Sequence, residues 1–347
     1  MLNLLEDHAV VVLGGAHLDR RGRIGGQTVM GASNPGSLFE EAGGGGFNAA
    51  RNLARLGAAV TMVSPRGGDA AGEMVAQAAL DAGVTDKPFV FLDRRTPSYT
   101  AILEADGNLV IAIADMDLYR LFGPRRVQQR QLREQIAAAD ALLTDANLPA
   151  ETLLAALLLA EAEGRIKAGI AISPAKVLRF QPSLDALDLL FMNRAEAAAL
   201  VAAQTGLDGE ADGAGIDPAS VDPASWPARL SALGLKGGVV TSGAGPVIAF
   251  SHGQAVLLQP PKLPALADVT GAGDSLAAGF LAARLAGLDL GQSLRHGVAA
   301  SLVTLASPLA VSSQMSPPLL AGALAHVPDV THLPPVRGSS AASIAAF

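Results

Sequence analysis

The stretch "DVTGAGDSLAAGFLAARLAG" (residues 268–287) decides how this chain is read. A Gly-Ala-Gly-Asp loop runs directly into an almost wholly apolar segment with helical spacing. Such a junction offers unpaired backbone N–H groups and the positive end of a helix dipole, and both attract an anion. Gly271, Ala272 and Gly273 let a phosphate lie close to the backbone, yet a carboxylate in the same place repels it. Asp274 therefore has two readings. It is a general base facing a neutral hydroxyl, with the neighbouring amides holding the charge that develops on a phosphoryl group. Alternatively it only caps its helix, a role worth about 1 kcal/mol.

Working outward, apolar strand patterns alternate with helical ones. "AVVVLGG" (9–15) reads as a buried strand delivering a loop, and Asp19 follows in that loop. The segment 20–46 is glycine-rich and polar, too polar for core and too long for a simple connection. A helix over 47–58 and a strand from Val60 complete one βα unit. "YTAILEADGNLVIAIAD" (99–115) reads as a hairpin turning at Asp106-Gly107, and is assigned to a small accessory sheet. From residue 127 the spacing predicts helix 127–138, strand 141–147, helix 150–163, strands 168–173 and 186–193, and helix 194–203. Strands within 237–250 and 253–261 and helices 272–286 and 291–306 follow. Repeated βα units imply a parallel sheet covered by helices on both faces. Residues 205–225 are acidic and rich in Gly, Asp and Pro, as in an exposed insertion, and the tail from 329 to 347 is expected to be mobile.

Composition removes several classes of function. A net charge of −7 gives no basic footprint for nucleic acid. With no cysteine, disulfides, thiolate metal sites and thiol catalysis are excluded, which fits the cytoplasm. The N-terminus does not read as a signal peptide, and Leu153–Ala160, the longest leucine-rich run, is far short of the ~20 residues that span a bilayer, so no membrane partner is expected. Neither a Walker P-loop nor a His-Glu-x-x-His zinc motif occurs, and "GAGDSLAAG" fails the dinucleotide fingerprint at its third glycine.

Three further stretches carry chemistry, each with a plainer reading beside it. "TSGAGPV" (241–247) offers hydroxyls and amides suited to nucleotide phosphates, or is a hairpin turn. "NRAE" places Asn193 and Glu196 at a helix start, as oxygen ligands for hydrated Mg²⁺ or as a capping box. "GGGG" (43–46) before Asn48 lets a polar substrate lie against backbone, or is a flexible loop.

Taken in order, Asp19, "GGGGFNAARNLARLG", "NRAE", "TSGAG" and "DVTGAGDSLAAGF" resemble the ribokinase-like (PfkB) carbohydrate and nucleoside kinases over residues 9–312. The resemblance implies an α/β fold, a three-layer α/β/α sandwich over residues 1–328, with a small β lid from parts of 19–33 and 99–115. It implies ATP as donor, Mg²⁺ as helper, a monovalent cation of the K⁺ type and a lid-mediated homodimer. Carried over by position, Asp274 is the catalytic base and Gly271, Ala272 and Gly273 form the anion hole. Asp19, Gly44, Gly45 and Asn48 contact the acceptor; Thr241, Ser242, Gly243 and Gly245 contact ATP phosphates, with Arg295–Ala300 bordering adenine. Asn193 and Glu196 organise Mg²⁺ through water, and Asp268 and Thr270 begin the monovalent-cation loop. Within the family, residues 33–57, 113–117 and 145–149 look most like pseudouridine kinases, which act on a ribose 5′-hydroxyl.

Two residues depart from the family pattern: His17 stands where Asn is common before the Asp, and Ser173 where Asp is usual before Pro. Rival readings keep the kinase but change the acceptor to ribose, another nucleoside or a sugar phosphate, for which Arg20, Arg21 and Arg23 would supply cations. A non-catalytic sensor has no use for Asp274, and a nicotinamide dehydrogenase is disfavoured by the failed fingerprint.

Overall fold

The computed structural model describes residues 5–205, 216–263 and 268–335. Its larger sheet has ten strands, in the order Thr331–His332, Gln254–Leu258, Val247–Ser251, Gly237–Thr241, Leu189–Asn193, Ile166–Ile170, Ala141–Asp145, Ala9–Leu13, Ala59–Val63 and Thr85–Asp86. From Gly237–Thr241 to Thr85–Asp86 neighbouring strands run parallel, and the remaining three join antiparallel at one edge.

The unbroken apolar strands follow from burial on both faces. Val10 and Val12 enter one core with Ala141, Leu143 and Val239, whereas Val11 and Leu13 enter the other with Leu142, Leu190 and Val240. Helices Gly45–Arg55, Ala70–Asp81, Ala272–Leu285, Leu290–Leu305 and Pro317–Leu324 cover the first core. Arg130–Ala138, Ala150–Ala162, Arg194–Thr205 and Trp226–Ser231 cover the second. The architecture is the three-layer sandwich that the alternating pattern implied.

A second sheet of four strands forms the lid, in the order Gly36–Gly43, His17–Ile24, Ser98–Leu103, Leu109–Asp115. The hairpin over 99–115 is present, but the polar stretch 20–46 expected as a loop is largely two paired strands. Cross-strand ion pairs line their register, while Leu18, Ile24 and Ala42 are their buried apolar residues. Arg20 lies opposite Glu40 in register and binds it at 2.6 Å, and Arg21 reaches Glu41 at 2.6 Å. Strands held this way show no apolar alternation to read.

Other boundaries also moved. The helix expected over 127–138 breaks into Pro124–Val127 and Arg130–Ala138, and residues 178–186 form a 3₁₀ segment ahead of the strand expected from 186. Of the expected insertion, 205–225, residues 206–215 lie outside the described residues, and Pro223–Ser225 form a 3₁₀ turn. Of the expected tail, Thr331 and His332 pair with Leu257 and Val256, and residues 336–347 lie outside the described residues.

Helix Ala272–Leu285, which carries Asp274, is seated by close packing on Leu290–Leu305. A Cβ on Gly279 would stand 2.7 Å from both the Ala300 Cβ and the His296 carbonyl oxygen, and one on Gly297 would stand 2.9 Å from the Leu276 carbonyl oxygen. Gly279→Ala is therefore expected to destabilise the protein by about 1–3 kcal/mol, the range for overpacking, read as a lower urea midpoint with unchanged slope.

Candidate active site

Parallel strands end at one edge, and the loops gathered there bring the predicted residues together. Asp274 occupies the first turn of its helix, but it is not the cap. The N-cap is Gly271, at φ 76°, with no side-chain hydrogen bond. A Cβ there would collide with the Ala310 carbonyl oxygen, so glycine is required twice over. Asp274 instead turns its Oδ2 toward Asn48, whose Nδ2 donates to it at 2.8 Å. The capping reading of this carboxylate is not realised: Asp274 faces the neighbouring helix Gly45–Arg55 instead.

Burial pushes the Asp274 carboxyl up to about 6; the charges of Asp145 and Asp19 add to the rise, while the Asn48 hydrogen bond and Arg51 oppose it. A carboxylate so placed holds protons more tightly than in water and is a better base at neutral pH.

The run 43–46 is not simply flexible, because each glycine answers a different neighbour. A Cβ on Gly43 would strike Asp19 Oδ2, and one on Gly44, which also has φ 109°, would strike the Gly15 carbonyl oxygen. At Gly45 it would meet the Ile172 side chain and stand 3.1 Å from Asp274 Oδ1; at Gly46 it would stand 2.8 Å from Asp145 Oδ2. Asn48, which follows, is 4% exposed, and its Oδ1 accepts from Arg51 Nη2 at 2.6 Å, which leaves Nδ2 to point at Asp274. Burial lowers Arg51 to about 10, so it remains a cation at neutral pH.

Asp19 begins the lid, where His17 Nε2 stands 3.3 Å from its Oδ1. The other ring nitrogen of His17 lies 2.9 Å from the hydroxyl of buried Tyr119. The departure from Asn thus links the start of the lid to Tyr119, which lies in the 3₁₀ turn Asp117–Leu121 and is buried in the second core. Ser173, the second departure, accepts from the Lys176 backbone N–H at 3.3 Å and caps a short helix.

Asn193 and Glu196 form the capping box: Asn193 Oδ1 accepts from Glu196 N–H at 3.0 Å, and Glu196 Oε2 accepts from Asn193 N–H at 2.7 Å. Burial nevertheless pushes Glu196 up to about 7, with Asp274 adding to the rise, so this carboxylate lacks a compensating positive charge. Thr241 pairs in register with Asn193, and residues 242–245 make the turn into Val247–Ser251, with Gly245 N–H donating to the Ser242 carbonyl at 3.0 Å and Gly243 at φ 62°. The hairpin reading of this loop is realised, beside the Glu196 helix start.

Asp268 and Thr270 are joined, Asp268 Oδ1 accepting from the Thr270 N–H at 2.9 Å and from its hydroxyl at 2.8 Å. The other oxygen, Oδ2, accepts from Arg21 Nη1 at 2.7 Å. Despite the cost of burial, these bonds and the Arg21 charge hold the Asp268 carboxyl below its ordinary value. A lid cation thus reaches the loop that leads into helix Ala272–Leu285. Arg295 is not free for a nucleotide, since it donates to the Val327 carbonyl at 2.9 Å and pairs with Asp329 at 3.2 Å.

One residue escaped the sequence reading. Asp145, fully buried, accepts at Oδ2 from Gly15 N–H at 2.8 Å and Gly46 N–H at 2.9 Å, and at Oδ1 from Asn147 N–H at 2.9 Å. Only its position, on "DANLP" at the end of a strand pattern, hinted at it. Beyond it lies a cavity of roughly 380 Å³, lined among others by Met116, Tyr119, Asn147, Glu151, Lys176 and Arg179.

Comparison with known proteins agrees with this construction. The pfkB family carbohydrate kinase model matches residues 9–316, and the chain belongs to that family. It is 28% identical over 303 residues to pseudouridine kinase of Escherichia coli, an alignment covering 86% of this chain and 91% of that one. A solved carbohydrate kinase from Agrobacterium tumefaciens is 52% identical, with a TM-score of 0.83 over 94% of this chain and all of the other. Ribokinase of Arabidopsis thaliana, solved with ribose and ATP, shares the fold at 22% identity, with a TM-score of 0.75 over 91% of this chain and 98% of its own. The protein is therefore a phosphotransferase with an alcohol group as acceptor, a sugar or nucleoside kinase of the PfkB family. Among the described residues no helix is long and apolar enough to cross a membrane.

Two outcomes follow from the site's electrostatics. Burial raises the Asp274 carboxyl to about 6, so with Asp274 as the proposed base kcat/KM should fall tenfold per pH unit below that value. Its folded value lies above the unfolded one, so protonation favours the folded state, and the ionised carboxylate lowers stability at pH 7. Asp274→Asn should accordingly cut kcat by about 10²–10⁴ while raising the thermal midpoint at pH 7.5. For the lid contact, Arg21→Ala frees one oxygen of Asp268 and should raise the acceptor KM several-fold, with the ATP KM little changed.

Proposed function

We propose that this kinase transfers the γ-phosphoryl group of ATP to the 5′-hydroxyl of pseudouridine, giving pseudouridine 5′-phosphate. The observation that carries the reading is the cavity next to the acceptor residues. Asn147 is 2% exposed, and its Nδ2 has no hydrogen-bond partner, while its Oδ1 accepts from Lys176 Nζ at 2.8 Å. A buried donor left unpaired costs free energy that a ligand carbonyl would recover. Uracil attached through carbon presents two carbonyl acceptors and two N–H donors, which suits a wall of amide and ammonium donors with the Glu151 carboxylate beside it. The similarity to pseudouridine kinase over most of both chains supports the same acceptor.

A sugar phosphate acceptor fits less well. Arg20 is paired with Glu40, and Arg21 with Glu41 and Asp268, so two of the three arginines near Asp19 are already neutralised.

In the mechanism, Asp19 and the backbone at Gly44 and Gly45 hold ribose hydroxyls, and Asn48 holds Asp274 toward the hydroxyl that reacts. Asp274 takes the 5′-hydroxyl proton as the oxygen attacks the γ-phosphorus, and the bond to the bridging oxygen of ADP breaks. The N–H groups of Gly271, Ala272 and Gly273 face the charge on the transferred group. Thr241, Ser242, Gly243 and Gly245 line the ATP phosphates. Asn193 and Glu196 suit a hydrated Mg²⁺, because the oxygen donors and the uncompensated Glu196 carboxylate favour a divalent cation held through water. When bound, Mg²⁺ neutralises phosphate charge. A K⁺-type ion at Asp268 and Thr270 competes with Arg21 for the same carboxylate.

The exposed, alternating Leu109, Ile111 and Ile113 of the lid's edge strand support pairing of two copies through their lids, and the absence of cysteine from the whole chain supports a cytoplasmic setting.

The test is ADP release with Mg-ATP and pseudouridine, uridine, ribose, adenosine and fructose 6-phosphate as parallel acceptors. Preference for pseudouridine in kcat/KM is expected. Preference for another acceptor overturns the assignment of this cavity to pseudouridine, and no turnover with any acceptor overturns the site assignment itself.

A further inference from the structure

We infer that Asp145 is the positioning residue of the acceptor pocket: one buried carboxylate clamps the loop after the first strand to the loop that opens helix Gly45–Arg55. The inference rests on the kinase reading above, since it concerns where that reaction's acceptor is held.

Asp145 ends strand Ala141–Asp145 at the centre of the sheet, and its neighbours in space are remote in sequence. Gly15 lies 130 residues away and Gly46 lies 99 residues away, yet both donate their N–H groups to the same Oδ2. Oδ1 is held by Asn147 N–H, so the carboxylate cannot rotate without giving up a buried bond. The surrounding backbone is shaped to it. A Cβ on Gly14 would stand 2.7 Å from the carboxylate, as close as the contact at Gly46, and neither glycine has positive φ. Close approach to Asp145, not turn geometry, is what requires glycine at these two positions.

Each clamped loop carries one side of the acceptor. Gly15 leads to His17 and Asp19; Gly46 leads to Asn48, which holds Asp274. Asp145 therefore sets the spacing between the residue that binds acceptor hydroxyls and the residue that deprotonates one, although it touches neither reacting atom. Misplacing a reacting group by about 1 Å costs on the order of 10²-fold in rate, so such a spacing is worth holding by charge-assisted bonds. The positive charges of Lys176 and Arg179 stand close enough to feel Asp145, so the clamp is coupled to the cavity wall as well.

Asp145→Asn keeps the volume but replaces one accepting oxygen with a donor, which faces either the two glycine N–H groups or that of Asn147. With pseudouridine or the best acceptor found, the acceptor KM should rise about tenfold or more, as expected from losing one or two bonds to a charged group, with the ATP KM within twofold. Hydrogen exchange followed by mass spectrometry should show faster exchange in peptides covering 14–19 and 43–48, with the strands' protection retained. Should this variant not fold, Gly46→Ala presses on the carboxylate from the other side and should give the same selective loss.

Equal rises in both KM values, or unchanged exchange at the two loops, would overturn the inference. The exchange measurement needs no turnover, so it stands even where an inactive wild-type protein would defeat the kinase reading.

Discussion

Parallel pairing of the central strands is the constraint on which the rest of this structure depends. It forces every strand-to-helix connection in that region to one edge of the sheet, where unpaired N–H groups and helix N-termini accumulate. The site is assembled from what those ends have in common. Gly271 opens a helix there without a side-chain cap, Asn193 and Glu196 open another, and Asp145 closes a strand beside them. Buried on both faces, the sheet cannot shift its register without moving apolar side chains between its two cores, so the edge is a rigid platform.

The platform is kept at some cost to stability. Asp274 and Glu196 are both raised in pKa by burial; the charge of Asp274 adds to the rise at Glu196, and the charges of Asp145 and Asp19 add to the rise at Asp274. Neither is neutralised by an ion pair within the described residues. Asn48, Arg51 and the capping box keep them in place instead. Residues that would be poor choices for stability alone are suited to taking a proton and to attracting a cation, the two needs of phosphoryl transfer. The lid contributes in a different way, through Arg21, whose two carboxylate partners belong to the lid and to the loop before helix Ala272–Leu285.

Much of this was legible in the chain. The alternation of "AVVVL", "ALLTD" and "GGVVT" with helical segments announced the sheet, and "GAGD" before an apolar run announced a helix start without a side-chain cap. The lid strands His17–Ile24 and Gly36–Gly43 were not legible, because their charged and glycine-rich sequences show no regular apolar alternation. Asp145 was not legible either: nothing local marks a carboxylate whose partners lie 99 and 130 residues away. The capping-box and hairpin patterns were visible, and the structure realised both, without removing their residues from the site's edge.

By itself, then, the sequence determined the layer architecture, the family and the glycine-led helix start of the central loop. These depend on periodicity and on short-range backbone chemistry, which a linear chain displays. Only the tertiary structure decided that Asp274 turns away from its own helix toward Asn48, that four consecutive glycines serve four different neighbours, and that one carboxylate ties two loops together. Those outcomes depend on which groups meet once separate strands share an edge, and local sequence carries no record of distances between remote segments.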